Sequence, residues 1–100
     1  MESYRIVEIQ IDTAGQLHVF PSSRTFPYVY REAMEINWDT ELGSLHSPVP
    51  RGWSYGRWFQ QILAAARAQG CELSLTGDTR WLNIDPQTKA ELLHVAGSEA

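Results

Sequence analysis

The chain opens on a strict alternation. Between residues 4 and 12, Val7, Ile9 and Ile11 fall on one face and Glu8, Gln10 and Asp12 on the other, the period of two that marks a half-buried strand. Asp12-Thr13-Ala14-Gly15 follows, with Asp opening and Gly closing as a type I turn prefers. Gln16 to Phe20 return as a second strand, ended by Pro21-Ser22-Ser23.

Tyr28 to Asp39 fit two periods. As a strand, Tyr28, Tyr30, Met34, Ile36 and Trp38 share a face broken only at Glu32. As a helix, Tyr30, Met34, Trp38 and Leu42 align at every fourth position. The faultless alternation from Met34 to Asp39 and the β-favouring Val, Tyr, Ile and Trp select the strand. A turn near Thr40 to Gly43 then sends Ser44 to Ser47 back as a short edge strand.

Pro48-Val49-Pro50-Arg51-Gly52 reads as a loop, because two prolines cannot both sit in a ladder. A helix is predicted from Ser54 to Gln69. Ser54 is a favoured N-cap, and Trp53 and Trp58 hold the two positions of a hydrophobic staple. Tyr55, Trp58, Phe59, Ile62, Leu63 and Ala66 form its apolar stripe opposite Arg57, Gln60, Gln61 and Arg67, and Gly70 stops it. Cys71, Leu73 and Leu75 alternate with polar neighbours as a strand. Gly77-Asp78-Thr79 turns the chain toward a hairpin partner at Trp81 to Ile84. Asp85-Pro86 starts a short helix from Gln87 to Ala96, with 97–100 frayed. The order ββββαββα predicts an α+β fold: a mainly antiparallel sheet of about five to six strands against one long and one short helix.

At 100 residues the chain suits one domain, residues 1–100. The net charge of −4 lies entirely in the first half, where Arg5, Arg24 and Arg31 face seven acids. A single lysine and no basic run exclude nucleic acid and anionic membranes as natural partners. Cys71 is alone, so no intrachain disulfide or thiolate cluster forms. The N-terminus lacks a signal-peptide pattern, so the expected location is cytoplasmic.

Gly52-Trp53-Ser54-Tyr55-Gly56 spells the G-x-S-x-G of serine hydrolases, with Asp78 or Asp85 and then His94 following in order. That motif needs a buried strand before its first glycine, and here Pro48 to Arg51 occupy that place. Ser54 is therefore read as a helix cap. His18, His46 and His94 show no ligand spacing, so neither metal nor cofactor is expected. Asp39 and His46 flank one turn, and their meeting across a hairpin would make an acid–imidazole pair. Cys71 follows a helix C-terminus, where the dipole disfavours a thiolate, and reads as core. Glu32, Glu35, Asp39 and Glu41 read as a solvated strand face.

Rings are dense around one stretch, with Phe26, Tyr28, Tyr30, Trp38, Trp53, Tyr55, Trp58 and Phe59 joined by Arg51 and Arg57. Aromatic and Arg side chains are the commonest interface anchors. Tyr28, Tyr30, Trp38, Arg51, Trp53, Tyr55 and Arg57 are the binding candidates.

Phe26-Pro27-Tyr28-Val29-Tyr30-Arg31, the Trp38-Asp39 pair and the Ser47-Pro48…Trp53…Tyr55…Trp58-Phe59 run resemble small α+β proteins of bacterial integron mobile gene cassettes. A looser likeness is to immunity proteins of bacterial toxin systems. The resemblance spans roughly residues 26–75 and implies a compact accessory protein that acts by association, often as a homo-oligomer, with no catalytic residues. The expected function is non-enzymatic binding of protein, self or other. The alternatives are a small-molecule pocket between helix and sheet, and a toxin-neutralising inhibitor.

Overall fold

The computed structural model describes residues 2–22, 26, 35–48 and 52–99. The predicted strand segment from Tyr28 to Met34 and the binding candidates Tyr28, Tyr30 and Arg51 lie outside these. Among the described residues, six strands and two helices follow in the expected order: β1 (Glu2–Ile11), β2 (Leu17–Pro21), β3 (Asn37–Asp39), β4 (Ser44–His46), α1 (Tyr55–Ala68), β5 (Cys71–Ser74), β6 (Arg80–Leu82) and α2 (Pro86–Glu99). The fold is α+β.

The opening hairpin forms as its residues dictate. Gly15 donates its N–H to the Asp12 carbonyl at 3.0 Å, and the Asp12 side chain accepts from the Ala14 and Gln16 N–H groups at 2.9 Å each. The alternation along β1 is not continuous, however. Ile6 pairs with Pro21 and Glu8 with Phe20, so Val7 is an extra residue, a bulge. The slip brings Ile6 and Ile9, three apart, to the same buried face. A uniform period of two placed Val7 there instead.

Strands lie in the order β3-β4-β2-β1-β5, with β6 also on β1. Three expectations are corrected by this topology. Ser44–His46 is an inner strand between β3 and β2, and β3 holds the edge. The sheet is mixed, because β5 and β6 both run parallel to β1. Finally, β5 and β6 form no hairpin. Glu2 to Arg5 pair with Cys71 to Ser74, and Glu8 to Gln10 pair with Arg80 to Leu82, so one edge of β1 is shared end to end. The Gly77-Asp78 turn does exist, with Thr79 N–H bonded to the Thr76 carbonyl at 3.2 Å. It makes a kink that swings out and returns in the same direction, because the β1 bulge interrupts the ladder there.

Both helices contain 14 residues, so the second is not the shorter element expected. Asp85 accepts from the Thr88 N–H at 2.7 Å, and Pro86 needs no partner at the first helical position. In α1, Ser54 Oγ accepts from the Arg57 N–H at 3.2 Å, and Gly70 ends the helix at φ +79°, a left-handed conformation that only glycine adopts freely. Trp58, Phe59, Ile62, Leu63 and Ala66 are buried with Ile6, Ile9, Leu17, Val19, Leu45, Cys71 and Leu73 in one cluster. Cys71 is a core cysteine, as its place in the alternation predicts.

No acidic residue of α1 lies in its own first turn. The carboxylate of Glu91 from α2 reaches that end instead. A Cβ built on Gly56 would lie 2.6 Å from Glu91 Oε2, so glycine at this position leaves room for a negative charge beside the positive end of the helix dipole.

Candidate functional site

Two constellations bring polar chemistry together, and they lie on different elements. The first is a hydrogen-bonded chain, buried at His18 and Ser44 and part-buried at Asp12. His18 Nε2 meets Asp12 Oδ2 at 2.8 Å, and His18 Nδ1 meets Ser44 Oγ at 2.9 Å. With Nε2–H donating to the carboxylate, the neutral ring accepts from the Ser44 hydroxyl, and the charged ring donates to it. Burial pushes the Asp12 carboxyl up, but the His18 hydrogen bond, the Gln16 N–H, the attraction of the ring and the Ala14 N–H together hold it below the ordinary range. His46 lies opposite His18 in register, with ring centroids 5.1 Å apart.

The Asp–His–Ser connectivity is that of a nucleophile relay, but access decides its role. Ser44 is 0% exposed and His18 4%, so the hydroxyl has no path to a substrate and the chain ties β2 to β4. Sequence spacing missed this chain because only sheet register brings residue 12, 18 and 44 together. The pair it suggested instead, Asp39 with His46, does not form. Asp39 lies opposite Ser44 and His46 opposite Asn37. The Asp39 carboxylate accepts from the Glu41 and Leu42 N–H groups at 2.9 Å each. The Leu42 bond leads in holding its pKa low, against slight desolvation and with help from Glu41 and the two histidines.

The second constellation is the solvent side of α1. The Trp53 and Trp58 rings meet at 4.6 Å, which closes the predicted staple. Trp58 is buried beneath, while Trp53 stays half-buried and the exposed Arg57 guanidinium lies 4.5 Å from its ring centre, a cation–π contact. Trp53 and Arg57 line one end of a cleft of about 340 Å³ that continues past Gln60, Gln61 and Ala64 to Arg67.

The structure separates the other described candidates from this cleft. The Tyr55 hydroxyl donates to the Gly15 carbonyl at 2.8 Å, tying α1 to the first turn. Burial, with Asp12 adding to it, raises the Tyr55 pKa. Trp38 packs at β3 against Phe26, ring centroids 5.6 Å apart. The Ser54 oxygen is occupied as the helix cap. Among the described residues no group of three or more His, Cys, Asp or Glu side chains is placed to hold a metal, and no helix is long and apolar enough to cross a membrane.

A mixed sheet packed against helices is the α+β fold that the cassette resemblance implies. The chain belongs to the Hfx_Cass5 family of integron cassette proteins, whose model, described as Integron Cassette Protein Hfx_Cass5, matches residues 4–79. It is similar to a solved structure of Integron Cassette Protein Hfx_Cass5 from the mobile metagenome of North West Arm Sewage Outfall. The two are 50% identical over 97% of this chain and 98% of that one, with a TM-score of 0.50. None of the curated proteins matches the chain.

Proposed function

We propose that the protein is a non-enzymatic binding protein that engages another protein through the face of α1 bearing Trp53 and Arg57. The observation that carries this reading is the half-buried Trp53 ring, 4.6 Å from the Trp58 ring and with the Arg57 guanidinium 4.5 Å above its own centre. A ring already fixed by its neighbours loses little side-chain freedom on binding, and Trp and Arg are the side chains that most often anchor interfaces. The burial of Ser44 and the capping bond of Ser54 weigh against a hydrolase reading.

The test is affinity capture from bacterial lysate with the wild-type chain, Trp53→Ala and Arg57→Ala as parallel baits, together with sedimentation of each. Partners, or a second copy of the chain, retained by the wild type and lost by both variants support the reading. An identical set on all three baits and an unchanged sedimentation profile overturn it.

A small-molecule reading has one observation in its favour. Phe59, Leu63, Leu73, Leu75 and Ala96 line a cleft of about 300 Å³ between α1, β5 and α2, the lower end of the range that ligand sites occupy. A thermal-shift screen of metabolites tests it, and a hit that survives Trp53→Ala places the ligand away from the α1 face.

A further inference from the structure

We propose that the α1 cleft receives an acidic segment of a partner protein. This rests on the reading of α1 as the binding face and adds the chemistry of what binds there. The formal charge of the chain is −4, yet α1 carries Arg57 and Arg67 and no acidic residue. Among the described residues lining the cleft, none is acidic. The cleft is thus a cationic strip on an anionic protein, and such local inversion steers an oppositely charged segment to one face while the remaining surface repels it.

The floor of the strip suits close approach. Gln60 and Ala64 are exposed and uncharged, so a partner backbone meets short or neutral side chains between the two guanidinium groups. Arg57 and Arg67 are separated by ten residues, about 15 Å along a helix. Arg67 has an interaction of its own, so Arg57 is the primary contact and Arg67 sets the length of the strip. A segment with a carboxylate for Arg57 and one apolar side chain to lie on Trp53 satisfies this end of the cleft. A phosphate backbone is the rival anion. Two arginines on a chain with one lysine neutralise too few phosphates to hold it against the surrounding negative charge.

The experiment uses the full chain and fluorescence anisotropy with three labelled peptides of equal length and identical leucine spacing, whose remaining positions are Glu, Lys or Ser, and a labelled single-stranded oligonucleotide. The Glu peptide is expected to bind about tenfold tighter than the Ser peptide and to weaken as salt rises. Arg57→Glu is expected to abolish that preference and turn it toward the Lys peptide. Residue 57 is the third position of α1, where Glu completes a capping box with Ser54, so this variant keeps its fold, which circular dichroism checks.

Equal affinity for the Glu and Ser peptides, with Trp53→Ala weakening both, overturns the acidic partner and leaves α1 as a binding face. No binding of any peptide, with Trp53→Ala silent, overturns both readings. Tighter binding of the oligonucleotide, or self-association that blocks the peptides, overturns the acidic segment in favour of nucleic acid or a second copy.

Discussion

The Thr79 hydroxyl donates to the Ile6 carbonyl at 2.7 Å, 73 residues away along the chain, and accepts from the Thr76 N–H at 3.0 Å. It stands where the ladder on β1 passes from β5 to β6, and it supplies the partner that Ile6 lacks beside the bulge. Thr79→Val keeps the shape and removes the hydroxyl, leaving a buried carbonyl and an amide without partners. The expected cost is about 1–3 kcal/mol, read as a lower urea midpoint with an unchanged slope. Thr79→Ser is expected to restore most of it.

Acid sensitivity follows from Asp12. Its folded pKa lies below the ordinary carboxylate value, so the unfolded chain takes up a proton first. The stability it contributes is fully present above the unfolded pKa and is lost as pH falls through the folded one. Asp39 and Asp85 are shifted in the same direction and add to the slope. Denaturant unfolding from pH 6 down toward pH 2 is expected to show a shallower decline in Asp12→Asn than in the wild type. Identical slopes would remove Asp12 from the account.

Ser54 tests the capping role directly. Ser54→Ala is expected to destabilise by about 1 kcal/mol, the usual value of an N-cap hydroxyl, with ligand-free structure otherwise unchanged by circular dichroism. A loss several times larger would mean that the hydroxyl has a second role.

At Gly56, alanine improves helix propensity by up to about 1 kcal/mol but drives the Glu91 carboxylate off the N-terminus of α1. A thermal-melt cycle over Gly56→Ala, Glu91→Ala and the double variant measures the coupling. Gly56→Ala is expected to gain more stability in the Glu91→Ala background than in the wild type.

Caps and tight turns were legible, whereas the alternation from Met34 to Asp39 was misleading, for Glu35 turns at φ +65° and β3 covers only Asn37–Asp39. The Asp12–Gly15 turn, the Ser54 cap with its Trp53–Trp58 staple, the Gly70 stop and the Asp85-Pro86 start each depend on residues within a few positions of one another, and each forms as read. Features set by register were hidden. Val7 alternates correctly with its neighbours, and nothing local announces that it bulges. Gly77-Asp78 carries the chemistry of a reversing turn, but whether the chain reverses or merely kinks is decided by which strand it meets, and here that is β1. The site divided in the same way. Trp53 and Arg57 are four residues apart near the start of one helix, so their meeting could be anticipated, whereas the Asp12–His18–Ser44 chain needed the pairing of β2 with β4.

The shared edge of β1 also fixes the timetable of assembly. β1 leaves the ribosome well before its partners on that edge, so it waits for residues 71–82 before that side is closed. Throughout synthesis the nascent β1–β2 hairpin presents an open ladder, the kind of surface that invites wrong pairing. Contacts of such long sequence separation also slow the search for the native state. The segment after β5 therefore does more than append a helix, for β6 is the piece that seals the β1 edge beyond the bulge.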